Sequence, residues 1–117
     1  MPLLFKPDMA RAILAGTKTV TRRRWKTARV KVGNVYQTRT KMFGEPFARL
    51  RVTWLTWEKD GPGGLLFTDA ERDWEADQEG FGSWDRFCRR WVAMYGETAL
   101  HEPCWRILFA VVKEREE

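Results

Sequence analysis

Eleven residues near the start of the chain, "GTKTVTRRRWK" from Gly16 to Lys26, bring together five cations and three threonines. Lys18 carries a movable ammonium. Desolvated, or set beside Arg22 and Arg23, it loses its proton more readily and can serve as a base. Thr21 carries a hydroxyl, a weak nucleophile until a neighbouring base takes its proton. Arg23 can fork onto a carboxylate or phosphate. In a regular strand Thr19, Thr21 and Arg23 share one side, and Val20, Arg22 and Arg24 the other. Lys18 and Thr21 then point to opposite faces, and they converge only if the chain bends near Lys18. The same residues also fit a solvated basic hairpin whose threonines serve β-propensity.

The charge of the whole chain leans the same way. The net charge is +5, but residues 1–59 hold 14 Lys/Arg against 3 Asp/Glu, and residues 60–117 hold 7 against 13. If the first half shares a face, that face is strongly positive, and phosphates are its natural partner. Otherwise the excess is a solvated face, or the two halves attract each other. Cys88 and Cys104 belong to no CxxC pair, and His101 is the sole histidine. The paired spacings of a structural zinc site are missing, so two free thiols and no metal are expected. No apolar run approaches the ~20 residues of a membrane helix. "MPLLFKPD" lacks a signal peptide's apolar stretch. A cytoplasmic protein with no membrane partner is expected.

These residues need a scaffold. A chain of 117 residues, 44% hydrophobic with seven Trp, suits one domain spanning 1–117 with a real core. "KPDMARAILAGTK" reads as a short helix capped by Asp8 and stopped by Gly16. "TKTVTRR" reads as extended, and "VKVGNVYQTRT" as a turn at Gly33 followed by a strand. "FARLRVTWLTW" alternates, with Ala48, Leu50, Val52 and Trp54 on one face. "KDGPGG" is a loop. Thr68 can cap a short acidic helix. Ser83 opens the clearest helix, where Trp84, Phe87, Cys88, Trp91, Val92 and Tyr95 recur at helical spacing as a core stripe. "CWRILFAVV" is a last strand. Strands with helices inserted between them indicate α+β.

Gly16, Lys18, Thr21 and Arg23 match the pattern G-x-K-x-x-T-x-R. With "LLFKPDMARAILAG" upstream and "VKVGNVYQTRT", "QEGFGSWDRFCRRW", "MYGE" and "WRILFAVV" downstream, the chain resembles the ASCH domain, a branch of the PUA-like superfamily. The resemblance implies a small, mostly antiparallel β-barrel with flanking helices and a cleft beside the motif. It also implies RNA or modified nucleosides and nucleotides as partners. One bacterial branch of small ASCH proteins is known as N4-acetylcytidine amidohydrolases. Their catalytic set is the motif's Lys and Thr with a Glu in an "A-x-Q-E" segment, and "ADQEGFGSW" here supplies it. Carried over, the set is Lys18, Thr21 and Glu79, with no cofactor: Thr21 attacks, Lys18 accepts its proton, and Glu79 assists the leaving amine.

The surroundings are more basic than a free nucleoside requires. Arg22, Arg23, Arg24, Lys26 and Arg29 would track a polynucleotide backbone, with Trp25 and Tyr36 stacking on bases. Three functions therefore stand open at this point. They are an amidohydrolase of an acylated cytidine, an RNA- or DNA-binding module with or without nuclease activity, and a protein-interaction domain.

Overall fold

The computed structural model describes residues 2–64 and 67–113. Strand β1 (Leu3–Leu4) leads into helix α1 (Pro7–Leu14), then β2 (Val20–Arg23), β3 (Val35–Arg39) and the long β4 (Ala48–Glu58). Helices α2 (Asp69–Gln78) and α3 (Trp84–Tyr95) follow, and β5 (Cys104–Val111) closes the order. The strands form one sheet in the order β1-β3-β4-β5-β2. Only β1 runs parallel to its neighbour; the other pairings are antiparallel. The result is a curled half-barrel of α+β class, in which β1 and β2 are the two free edges. Across the open seam, the Arg23 side chain on β2 donates to the Leu4 carbonyl on β1 at 2.8 Å.

Two hydrophobic clusters hold the sheet to its helices. Leu3, Phe5, Ile13, Leu50, Val52, Ile107 and Phe109 make the first, with α1 contributing Ile13. Ala76, Phe87, Trp91, Ala99 and Cys104 make the second, built mostly from α2 and α3. Ile107 and Phe109 have one parity along β5 and Cys104 the other, so the strand feeds both clusters from opposite faces. The helix signals behave largely as read. Thr68 forms a capping box with Glu71, and Ser83 accepts from the Arg86 N–H at the start of α3.

Two expectations need correction. Asp8 does not cap α1: Lys6 is the capping residue, Pro7 starts the helix, and Asp8 sits in the first turn. Its carboxylate is committed to the Arg90 guanidinium on α3 at 2.9 Å. The alternation of β4 also breaks. Leu50 and Val52 are fully buried, but Trp54 is 61% exposed. A bulge between Val52 and Trp54 inserts Thr53 as an extra residue, so Trp54 pairs with Leu108 and turns away from the core. Leu55, opposite Ile107, takes the inward position instead.

The link between α2 and α3 positions the site. α2 ends at Gln78 with Glu79 as its C-terminal cap, and Gly80 follows with φ +91°. A Cβ on Gly80 would lie 3.3 Å from Ala12 Cβ and 3.4 Å from Lys18 Cβ. Glycine here permits both the backbone turn and the close approach of α1 to the start of β2. Gly80→Ala should cost about 1–2 kcal/mol from the left-handed backbone alone. Urea denaturation checks this, and a variant as stable as the parent would show that the turn is unstrained.

Candidate functional site

The site is assembled around a buried arginine. β2 alternates, so Arg22 points away from Thr21 and Arg23, and its side chain has no exposure. It meets three carboxylates there. Nε and Nη2 fork onto Glu58 at 2.7 and 3.0 Å, Nη2 also reaches Glu75 at 2.9 Å, and Nη1 takes Glu79. Arg106, which pairs with Arg22 across the strands, also binds Glu75, through both carboxylate oxygens. Burial opposes the Arg22 charge, but Glu79, Glu58 and Glu75 outweigh it and hold its pKa above the ordinary arginine value. Burial pushes the Glu75 carboxyl up, while hydrogen bonds from Arg106 and the charge of Arg22 bring it below its usual value. Cys104 donates its thiol to Glu58, and burial with that carboxylate raises its pKa.

Lys18 stands at the edge of this cage. It lies before β2, in an isolated bridge with Glu79, and shares that residue's carboxylate with Arg22. Its Nζ donates to the Val20 and Glu79 carbonyls, both at 2.8 Å, and lies 3.9 Å from Glu79 Oε1. Burial lowers its pKa from 10.5 to about 8. Glu79 opposes that shift, and Arg23 and Arg22 add to it. Thr21 is 5% exposed, and its hydroxyl has no hydrogen-bond partner among the described residues.

Lys18, Thr21, Arg22, Arg23 and Glu79 line one cleft of about 410 Å³. The cleft lies at the seam of the half-barrel, with Leu4, Phe5, Lys6 and Met9 on one side. Phe81, Phe87, Trp91, Met94 and Tyr95 line it as well. The aromatic stripe of α3 thus has two uses. Phe87 and Trp91 belong to the second cluster and also face the cleft, while Tyr95 is 37% exposed.

The basic residues expected to bind a polynucleotide do not act together. Arg22 is removed from that role, because each of its nitrogens is committed to a buried carboxylate. Arg23 faces the cleft, its guanidinium 4.7 Å from the Phe5 ring centroid. Arg24 pairs with Glu102 at 3.3 Å and lies over Tyr95. Trp25 packs against the first cluster and carries Arg29 5.8 Å from its ring. It is not a free stacking platform, and neither is Tyr36, which packs on the same cluster and accepts from the Lys31 N–H. Lys26 and Arg29 are exposed. Sequence reasoning missed Glu58, Glu75 and Arg106. The only signal was Glu58 at the end of an otherwise half-apolar strand.

No family model and no curated protein matches the chain. Solved structures do resemble it. A DUF984 family protein from Enterococcus faecalis aligns with a TM-score of 0.61 and 17% identity, over 100% of this chain and 85% of that one. The ASCH domain from Lactobacillus crispatus aligns with a TM-score of 0.54 and 16% identity, over 88% of this chain and 69% of that one. At these identities the likeness concerns the fold: the chain has an ASCH-like, PUA-like architecture.

Because Arg22 binds three buried carboxylates, Arg22→Met should destabilise the fold by about 3–5 kcal/mol, the usual cost of stranding buried charges. Replacing exposed Lys26 should leave stability unchanged. Equal denaturation midpoints for the two variants would contradict the role given to the cage.

Proposed function

We propose that this protein hydrolyses the acyl amide of an N4-acylated cytidine. One observation carries the reading: a buried lysine with a depressed pKa shares a cleft with a threonine hydroxyl that no group of the described residues engages. A neutral lysine amine has two N–H bonds. The Val20 and Glu79 carbonyls can accept both, which leaves the lone pair to accept a proton. The substrate class comes from the resemblance of the motif. The cleft volume suits a nucleoside-sized ligand, and its aromatic lining suits a base.

The steps follow from this arrangement. Thr21 Oγ1 attacks the acyl carbon while Lys18 takes the hydroxyl proton. The new ammonium is held by the Glu79 carboxylate, itself fixed by Arg22. As the tetrahedral oxyanion collapses, the carbon–N4 bond breaks and Lys18 returns its proton to the leaving nitrogen. Water then cleaves the threonine ester, releasing the carboxylic acid and restoring the hydroxyl. Glu79 acts through Lys18 in this scheme, not directly on the leaving amine.

The base works when neutral, so activity should rise as pH increases through about 8 and then level off. Incubation with N4-acetylcytidine, followed by chromatography for cytidine, reads it out. Lys18→Arg keeps the charge but cannot release its proton, and should lose nearly all turnover. Full activity in that variant, or a flat profile between pH 6 and 9, contradicts the assignment.

A second reading, nucleic-acid binding, rests on a different surface. Arg49 and Arg51 are exposed on β4, and Lys26, Arg29 and Lys31 are exposed on the loop before β3. None of these five has a carboxylate partner among the described residues. Trp54 turns to the same side of the sheet as Arg51 because of the bulge. On single strands, affinity should fall with salt at a log–log slope near −0.7 per neutralised phosphate. Arg49→Glu with Arg51→Glu should weaken binding for all sequences alike. Salt-independent or absent binding at low salt removes this reading.

A further inference from the structure

The ionisable groups around the cleft can be matched one by one. Lys18, Arg22 and Arg106 face Glu58, Glu75 and Glu79, three cations against three carboxylates. Arg90 is matched by Asp8. Two lining cations remain, Arg23 and Lys6, and neither has a carboxylate partner among the described residues.

Arg23 is the more informative of the two. Its Nη2 donates to the Leu4 carbonyl and its plane lies by the Phe5 ring, but its Nε is buried with no hydrogen-bond partner. A seam clamp needs one donor to Leu4, which a neutral side chain supplies without desolvating a charge. A largely buried guanidinium with no counter-ion and an orphaned donor carries an energetic cost that a bound anion would remove. Lys6, exposed at the rim between Phe5 and α1, lies on the same β1 side of the cleft. Lys18 and Glu79 come from the other side, where the end of α2 meets the start of β2. The cleft lining thus holds a charge-balanced group about Lys18 and Glu79 and two cations, Arg23 and Lys6, with no ion-pair partner among the described residues.

We propose that Arg23 and Lys6 anchor a phosphate monoester, so that the substrate is a phosphorylated cytidine and not the bare nucleoside. A phosphate monoester carries about −1.5 to −2 near neutral pH, which matches the two unmatched cations. Its oxygens can accept from Arg23 Nη1, the terminal nitrogen that is neither bound to Leu4 nor buried. This deepens the reading above and rests on it for the base, but the anchor itself can be tested without catalysis.

Calorimetry with cytidine and cytidine 5′-monophosphate provides that test, with hydrolysis of N4-acetylcytidine and its 5′-monophosphate measured in parallel. The monophosphate should bind at least tenfold more tightly than the nucleoside. Lys6→Gln, at an exposed position, should reduce that advantage severalfold, and Arg23→Gln should abolish it, with thermal melting confirming that both variants fold. If Arg23→Gln fails to fold, Arg23→Lys and Lys6→Gln carry the test: both should reduce the advantage. Equal affinity for the two ligands, or an advantage that survives these substitutions, overturns the anchor. If the monophosphate binds preferentially but neither acylated compound is hydrolysed, the anchor stands and the amidohydrolase reading falls. If the acylated nucleoside is hydrolysed with no preference for phosphate, the reverse holds. A 5′-phosphorylated dinucleotide separates a free nucleotide from a nucleic-acid end. It competes with the monophosphate if ends are taken and fails if they are not, and either result upholds a phosphate anchor.

Discussion

A fully buried guanidinium at Arg22 is the constraint on which the rest of the site depends. It gathers Glu58 from the end of β4 and Glu75 and Glu79 from α2, so one side chain ties the sheet to the helix that covers it. Removing any partner would leave a charge stranded where water cannot reach it. A planar fork with five donors suits this position; a lysine there, with one nitrogen, could not fork onto Glu58 and still reach Glu75 and Glu79. The cage also fixes the C-terminal end of α2, where the Glu79 carbonyl and carboxylate both face Lys18.

Lys18 inherits its properties from that arrangement. Burial favours its neutral form and Glu79 favours its charged form, and the balance leaves its pKa below the ordinary lysine value, at about 8. A carboxylate held by Arg22 is a weaker partner for Lys18 than a free one would be. The glycine at position 80 contributes by sterics, letting α1 and the start of β2 close on the end of α2. Thr21, on the opposite face of β2 from Arg22, opens to the seam left between β1 and β2. An incompletely closed sheet is what gives the cleft its room.

Much of this was legible in local pattern and some was not. The alternation of "TVTRR" separates Thr21 and Arg23 from Arg22 in the strand as in the sequence. The caps at Thr68 and Ser83 follow from short-range chemistry. The fate of Arg22 could not be read the same way. A charge run looks like solvent-facing surface unless its partners are known, and those partners lie 36 to 57 residues away. Glu79 was reached through the resemblance, while Glu75 carries no local mark that sets it apart from solvated acids, and Glu58 only its place at the end of a half-apolar strand. The bulge at Thr53 was equally silent: apolar and polar residues still alternate there, and only the pairing with β5 shows the slip.

The central claim is that the cage and its burial hold Lys18 as an amine that can shed its proton near neutrality. The most direct measurement is an NMR titration of the Lys18 side chain, following its Cε shift with pH in the folded protein. A midpoint near 8, well below the ordinary lysine value of 10.5, is the expected result. A midpoint above 10 for Lys18 would mean that the site holds a permanent ammonium, and the chemistry assigned to the cleft would fail with it.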